Sequence, residues 1–226
     1  MVATGRRTRT YNSPRRQEQA AATRQVILDA AHRLFERDGY VATTMEAIAA
    51  EAGVALKTVY SAFTTKSGLL RALWDVRLKG DLDDAPVAAR SWYRAVLEEP
   101  DPRRQLLLVA RTSCAVKRRI GSLLGVIRSA AAVDPDSAAL WSLIQSEFYD
   151  NQRTIIEAVH ARGGLRAGLD PTQASDILWT LNHPDVWLLL TAERGWTPQQ
   201  FESWFAATIS RQLLDDRPRR RSRRTG

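Results

Sequence analysis

The chain has 226 residues, 44% of them apolar, and carries 33 Lys and Arg against 25 Asp and Glu for a formal charge of +8. The apolar fraction supports a packed core, no apolar run approaches membrane-spanning length, and a single cysteine provides neither an intramolecular disulfide nor a thiolate metal cluster. Gly and Pro are sparse and no strand-like alternation is evident, so an all-α chain in a reducing cytoplasm is expected.

The charge is uneven. Residues 1–80 hold 13 basic against 7 acidic side chains, residues 81–214 hold 14 against 16, and residues 215–226 hold 6 against 2. Positive charge concentrated at one end and on the termini is the footprint of a nucleic-acid binder joined to a near-neutral domain. A set of merely solvated basic tails is the competing explanation.

In chain order, residues 1–21 are basic, polar and broken by Pro14, and are expected to be disordered. Arg6, Arg7, Arg9, Arg15 and Arg16 could follow phosphates or enter a minor groove, or form a tail that adds affinity by charge alone. A first helix is predicted from Thr23 to Asp38, with Val26, Ile27, Ala30, Ala31, Leu34 and Phe35 as its apolar stripe and Gly39 as its C-cap. Thr43, with Glu46 three residues on, reads as a capping box opening a short second helix. Ala52-Gly53-Val54 supplies a turn, and a third helix from about Ala55 to Phe63 buries Val59, Ala62 and Phe63. Leu56, Lys57, Tyr60 and Ser61 fall on its opposite face. Two short helices around a glycine turn make a helix-turn-helix. Thr65 then opens a fourth helix through Leu69, Leu70, Leu73 and Trp74, whose free N-terminal N–H groups suit a phosphate.

Gly80 to Asp84 marks the predicted boundary. Apolar helical segments follow at about 86–98, 103–119, 121–132, 136–162, 172–192 and 198–213, with Pro184 either kinking the fifth or starting a new helix capped by Asn182 or His183. Cys114 reads as a small buried side chain. Without a Gly-rich phosphate loop, a metal-spaced His cluster or a nucleophile elbow, no cofactor, metal or catalysis is expected.

Residues 27–74 resemble the N-terminal domain of the TetR family of bacterial transcription regulators. The resemblance is carried by Ala30-Ala31, Leu34-Phe35, Gly39-Tyr40, Thr43-Thr44, Ile48-Ala49, Ala52-Gly53-Val54, Thr58-Val59-Tyr60, Phe63, Lys66 and Leu69-Leu70. Gly164-Leu165, Ala174, Leu178-Trp179, Glu193 to Trp196 and Phe201 are similar to the C-terminal half of many members. The resemblance implies four regions: a basic arm (1–21), a DNA-binding domain with linker helix (22–80), an effector-binding and dimerisation domain (81–214) and a basic tail (215–226).

It also implies roles. Thr44, Thr58, Tyr60 and Lys66 match positions that contact phosphates, while Leu56 and Lys57 point into the major groove, Lys57 alternatively to a phosphate, with Ser61 on the same outer face. Ala55 departs from a common serine-type cap, Lys57 from a small residue and Ala62 from His or Tyr. Trp141, Phe148, Tyr149, Trp179 and His183, with Arg111 nearby, lie on helices that line the family's effector cavity. Trp187, Leu190, Trp204 and Ile209 lie on helices that form its dimer bundle. The implied protein is a cytoplasmic homodimer that binds a double-stranded, near-palindromic operator and a small hydrophobic or amphipathic effector, without membrane attachment. It is most often a repressor. An architectural, nucleoid-type DNA binder without effector is the alternative, and leaves the large near-neutral domain unexplained.

Overall fold

The structure is a computed structural model that describes residues 14–79, 87 and 90–215. Among these residues the fold is all-α, with one isolated β-bridge between Leu165 and Leu214. The arm before Pro14, the segment Gly80 to Asp84 and the tail after Asp215 lie outside the described residues. The chain divides into two compact units, one ending at Ala72 and the other beginning at Leu73.

The first unit holds α1 (Pro14–Ala42), α2 (Met45–Ala52), α3 (Leu56–Phe63) and the start of α4 (Lys66–Lys79). The first helix begins at Pro14 rather than Thr23, so residues 14–21, expected to be disordered, are helical. Proline is tolerated in a first helical turn because its missing N–H would have no helical partner there. Gly39 interrupts the helix at φ 79°, a backbone conformation glycine enters without strain. Ile27, Leu28, Ala30, Ala31, Leu34 and Phe35 are buried, whereas Val26 remains exposed. On the helical wheel the other apolar residues centre between Ile27 and Leu28, and Val26 falls well off that centre.

The second helix is capped one residue later than its sequence suggested. Thr44, not Thr43, accepts from the Ala47 N–H at 3.1 Å. Thr43 is buried and donates its hydroxyl to the Gly39 carbonyl at 2.8 Å, closing the break after α1. Glu46 consequently sits one residue too early for the expected capping box. Gly53, at φ 66°, ends α2 in the left-handed conformation, and its N–H and that of Val54 close onto Ala50 and Ala49.

The second unit holds α5 (Ser91–Glu98), α6 (Pro102–Ala131), α7 (Pro135–Ala161), α8 (Pro171–Leu181), α9 (Pro184–Leu188), one π turn (Leu189–Glu193) and α10 (Pro198–Leu213). Asp101, Asp134, Asp170 and Thr197 each cap a helix whose first residue is proline. The predicted segments 103–119 and 121–132 are one continuous helix. Gly121 does not break it but makes room, since a Cβ there would stand 3.2 Å from Trp187 Nε1. Pro184 starts a new helix, with His183 Nδ1 accepting from the Asp185 N–H as cap. The core is built from Leu106, Val109, Ala110, Ile156, Val159, Leu178, Phe201, Phe205 and Ile209 among others.

Candidate nucleic-acid interface and the polar core of the second unit

Helix α3 shows the two faces its spacing implies. Val59 and Phe63 are buried, Ala62, Leu56 and Thr58 are half-buried, and Lys57, Tyr60 and Ser61 are exposed. Tyr60 is 44% exposed, a large aromatic held outward with a polar tip. Ala55 provides no side-chain cap, so the first N–H groups of α3 lack the usual acceptor. Thr44 accepts as a cap, which leaves its own O–H able to donate. The far end of α3 is fastened by Arg24, which donates to the Ala62 carbonyl at 2.8 Å and lies 4.1 Å over the Phe63 ring.

Lys66 has a role the sequence did not reveal. Its Nζ donates to the Tyr40 carbonyl at 2.8 Å and the Thr43 carbonyl at 2.9 Å, and lies 4.2 Å over the Tyr40 ring. One ammonium thus satisfies the carbonyls exposed where α1 gives way to α2, directly before Thr44. Between α3 and α4, Thr64 is a non-glycine residue at φ 57° and ψ −51°. A β-branched residue seldom occupies that region, so the junction carries strain. Gly68 follows closely, because a Cβ there would meet the Phe63 carbonyl oxygen at 2.7 Å.

In the second unit four of the six expected pocket residues come together. Phe148 and His183 lie 6.5 Å apart, Trp179 and His183 5.0 Å, and Tyr149 and Trp179 6.4 Å between ring centroids. The Tyr149 hydroxyl donates to Asp176 at 2.9 Å. Among the described residues no ring contact joins Trp141 to this group, and Arg111 is exposed without a polar contact to it.

The dimer residues also divide. Trp187 is 6% exposed and packs at 4.9 Å on Phe201, and Ile209 is 0% exposed, so both belong to this chain's own core and not to a surface offered to a partner. Which faces of their helices are covered depends on α6 and α8, whose positions are not readable from spacing. Leu190 and Trp204 are half-buried. Trp204 packs against Trp196 at 5.9 Å, and the two line a shallow groove with Gln199, Gln200 and Ser203.

The largest feature sequence reasoning missed is Lys117. It is 5% exposed on α6, inside the apolar face running through Val109, Ala110, Cys114, Ile120 and Leu124. Its Nζ donates to Asn182 Oδ1, and lies 5.7 Å over the Phe201 ring and 5.6 Å over the Phe205 ring. Asn182 Nδ2 donates to Ser113 Oγ at 3.1 Å and Gln152 Oε1 at 3.0 Å. Burial lowers the Lys117 ammonium from the ordinary 10.5 to about 7. Burial likewise holds His183 below its usual value and pushes the Cys114 thiol up, so Cys114 is no thiolate nucleophile. A charge at helical spacing within an apolar stripe was the available signal.

A tri-helical reader with a glycine turn and a bare polar face on its third helix defines a helix-turn-helix DNA-binding protein. The profile of bacterial regulatory proteins, tetR family, matches residues 27–73. The HTH-type transcriptional repressor ComR of Escherichia coli (strain K12) is 26% identical over 160 residues, 69% of this chain and 73% of that protein. The solved structure of NalD, the secondary repressor of the MexAB-OprM multidrug efflux pump in Pseudomonas aeruginosa, superposes with a TM-score of 0.65 at 23% identity, covering 88% of this chain and all of that one. The SmeT–triclosan complex superposes with a TM-score of 0.68 at 18% identity, covering 86% and 93%. Residues 27–73 are therefore a DNA-binding domain of the tetR type, and the rest of the chain shares the fold of these regulators. The chain is a DNA-binding regulator and not an enzyme. No helix among the described residues is long and apolar enough to cross a membrane.

Proposed function

We propose that this protein is a cytoplasmic, homodimeric repressor that leaves a near-palindromic operator when a small hydrophobic or amphipathic effector binds its second unit. The observation that carries the reading is the outer face of α3, where Lys57, Tyr60 and Ser61 stand exposed above a packed inner face. Leu56 and Lys57 reach base edges: leucine packs on a thymine methyl and lysine donates to guanine O6 or N7. Thr44, Thr58 and Tyr60 hold phosphates and set the register, and Ser61 lies beside them. Lys66 acts on DNA mainly by fixing the entry to α2, since two of its donors serve backbone carbonyls.

Residues 22–80 form the reading domain with its linker helix and residues 81–214 the effector and dimerisation domain, with basic segments at both ends adding phosphate affinity. Leu190 and Trp204 with the Trp196 groove are the dimer surface. Phe148, Tyr149, Trp179 and His183 are the aromatic wall of the effector site. ComR and NalD, both described as repressors, support repression, and triclosan bound to SmeT supports a small apolar effector. The effector acts only through unequal affinity for the DNA-competent and DNA-incompetent dimers.

Genomic fragments retained by the full-length protein, footprinted and titrated at fixed salt, test this directly. Two-fold symmetric protection is expected, with Tyr60→Ala weakening operator and random DNA alike and Lys57→Ala lowering the preference for operator. Normal operator affinity in Tyr60→Ala removes α3 as the reader. A monomer that binds the palindrome as tightly overturns the dimer.

A further inference from the structure

The core of the second unit buries a lysine beside a neutral amide and not beside a carboxylate. Lys117 is buried, and its polar partner is the neutral Asn182, itself shared between Ser113 and Gln152. Among the described residues no carboxylate forms an ion pair with Lys117. The Trp179 indole N–H, on the ring 5.0 Å from His183, is also buried without an acceptor. A buried ammonium without a counter-charge is costly, and an apolar residue of similar length would fill the position at lower cost. A buried ammonium held by a neutral amide, whose chain neighbour His183 touches the Phe148 and Trp179 rings, together with the unpartnered Trp179 N–H, describes one half of a recognition site, and its complement is an acceptor bearing negative charge.

We infer that the effector is an organic acid with an apolar body, whose carboxylate takes over Lys117 from Asn182 while its body lies against Phe148 and Trp179. This rests on the reading that the second unit binds an effector, and adds its chemical class. One compensating charge is present, so a monoanion fits and a phosphate dianion would leave a buried charge unmatched.

The geometry also says what would move. Asn182 is the C-cap of α8 and its neighbour His183 the N-cap of α9, so both flanking helices end on this joint. An acid seated on Lys117 releases Asn182 Oδ1 and frees the joint to rearrange. Binding energy at Lys117 is thereby coupled to α9 and the π turn that follows it, the two segments carrying Trp187 and Leu190.

Matched ligand sets titrated into the full-length protein test the charge requirement, with tryptophan fluorescence as readout: 4-phenylbutyrate against 4-phenylbutanamide and 4-phenylbutylamine, and octanoate against octanamide and octylamine. The acids should bind about tenfold or more tightly than their neutral and cationic partners, as expected for a charge-assisted hydrogen bond in a buried site. The preference should vanish in Lys117→Met and persist in Lys117→Arg. Equal binding of all three head groups, no binding of either acid, or an acid preference that survives Lys117→Met would overturn the inference. The wild-type series needs no variant to fold. Operator release measured in parallel separates the two claims. Acids that bind through Lys117 without releasing DNA leave the site standing and remove the effector role. Release by a neutral compound, undiminished in Lys117→Met, leaves the regulator standing and removes the acid.

Discussion

Each unit holds one lysine that is drawn inward, and the two are treated differently. Lys66 meets the carbonyls of Tyr40 and Thr43, the main-chain acceptors left over where two helices join. Lys117 meets a side-chain amide that depends in turn on Ser113 and Gln152, contributed by α6 and α7. The first arrangement needs only a helix break and a residue 23 or 26 positions away. The second needs three helices to be packed before any partner exists, with 65 residues between Lys117 and Asn182. A reader built on short-range satisfaction keeps one shape. A core built on a borrowed amide can exchange that amide for a ligand.

The sharpest way to break this picture lies in Trp187 and Trp204, which the family resemblance assigned together to a dimer bundle. Trp187→Glu puts a carboxylate against Gly121 and Phe201, and should cost about 4 kcal/mol or more, abolishing cooperative unfolding of the second unit. Trp204→Glu, on a half-buried groove, should leave the fold and instead shift the monomer–dimer equilibrium. Thermal unfolding and sedimentation of both variants decide between core and interface. Similar unfolding in the two would return Trp187 to the surface.

Lys66→Met tests the other lysine. It removes two charge-assisted bonds from the Tyr40 and Thr43 carbonyls, which lose the ammonium as donor, at about 2 to 3 kcal/mol in urea denaturation. Because these bonds hold the residue before Thr44, operator affinity should fall together with stability, while the slope of log affinity against log salt changes little. A slope reduced by about one, with stability intact, would make Lys66 chiefly a phosphate ligand.

How much of this was legible follows from the range of the determining contacts. The helix-turn-helix was readable because its glycine turn and the Val59 and Phe63 spacing are local. The Thr44 cap was missed by one residue because Thr43 is claimed by Gly39, a bond spacing cannot rank against capping. In the second unit the helices and their prolines were readable, and Phe148, Tyr149, Trp179 and His183, expected to lie together, are ring neighbours. Trp187 and Ile209 were misplaced because which face of a helix is covered depends on neighbours far along the chain. Lys117 drew no reading from the sequence, because only the packing of α7, α9 and α10 against α6 shows that its stripe is buried.

The pH dependence of stability sharpens the contrast between the two cores. An unfolded chain keeps the Lys117 proton up to the ordinary value of 10.5, whereas the folded chain gives it up at about 7. Between those values the unfolded state binds more protons, so this group makes stability rise with pH, by about 1.4 kcal/mol per unit at most. Below that window both states are charged and the full penalty is present. Cys114 and His183 titrate nearby, the first held upward and the second downward, so a window from about pH 7 to about 8.5 keeps Lys117 the main contributor. Wild type should gain about 2 kcal/mol on Lys117→Met across it, read from urea midpoints. Parallel curves for the two proteins would mean that Lys117 stays protonated in the fold.

The smallest effect concerns the junction beside the reader. Thr64 holds φ 57° and ψ −51° between α3 and α4, a conformation that costs a β-branched residue on the order of 1 kcal/mol. Thr64→Gly relieves that strain in the folded state and adds backbone entropy to the unfolded one, so the two effects oppose each other. Strain relief should win narrowly, raising stability by about 0.5 kcal/mol. The more telling readout is DNA. With glycine the angle between α3 and α4 is no longer fixed by a side chain, so operator preference should decline even as the fold gains. If preference and stability rise together, the strain at Thr64 is a cost of sequence history and takes no part in aiming the recognition helix.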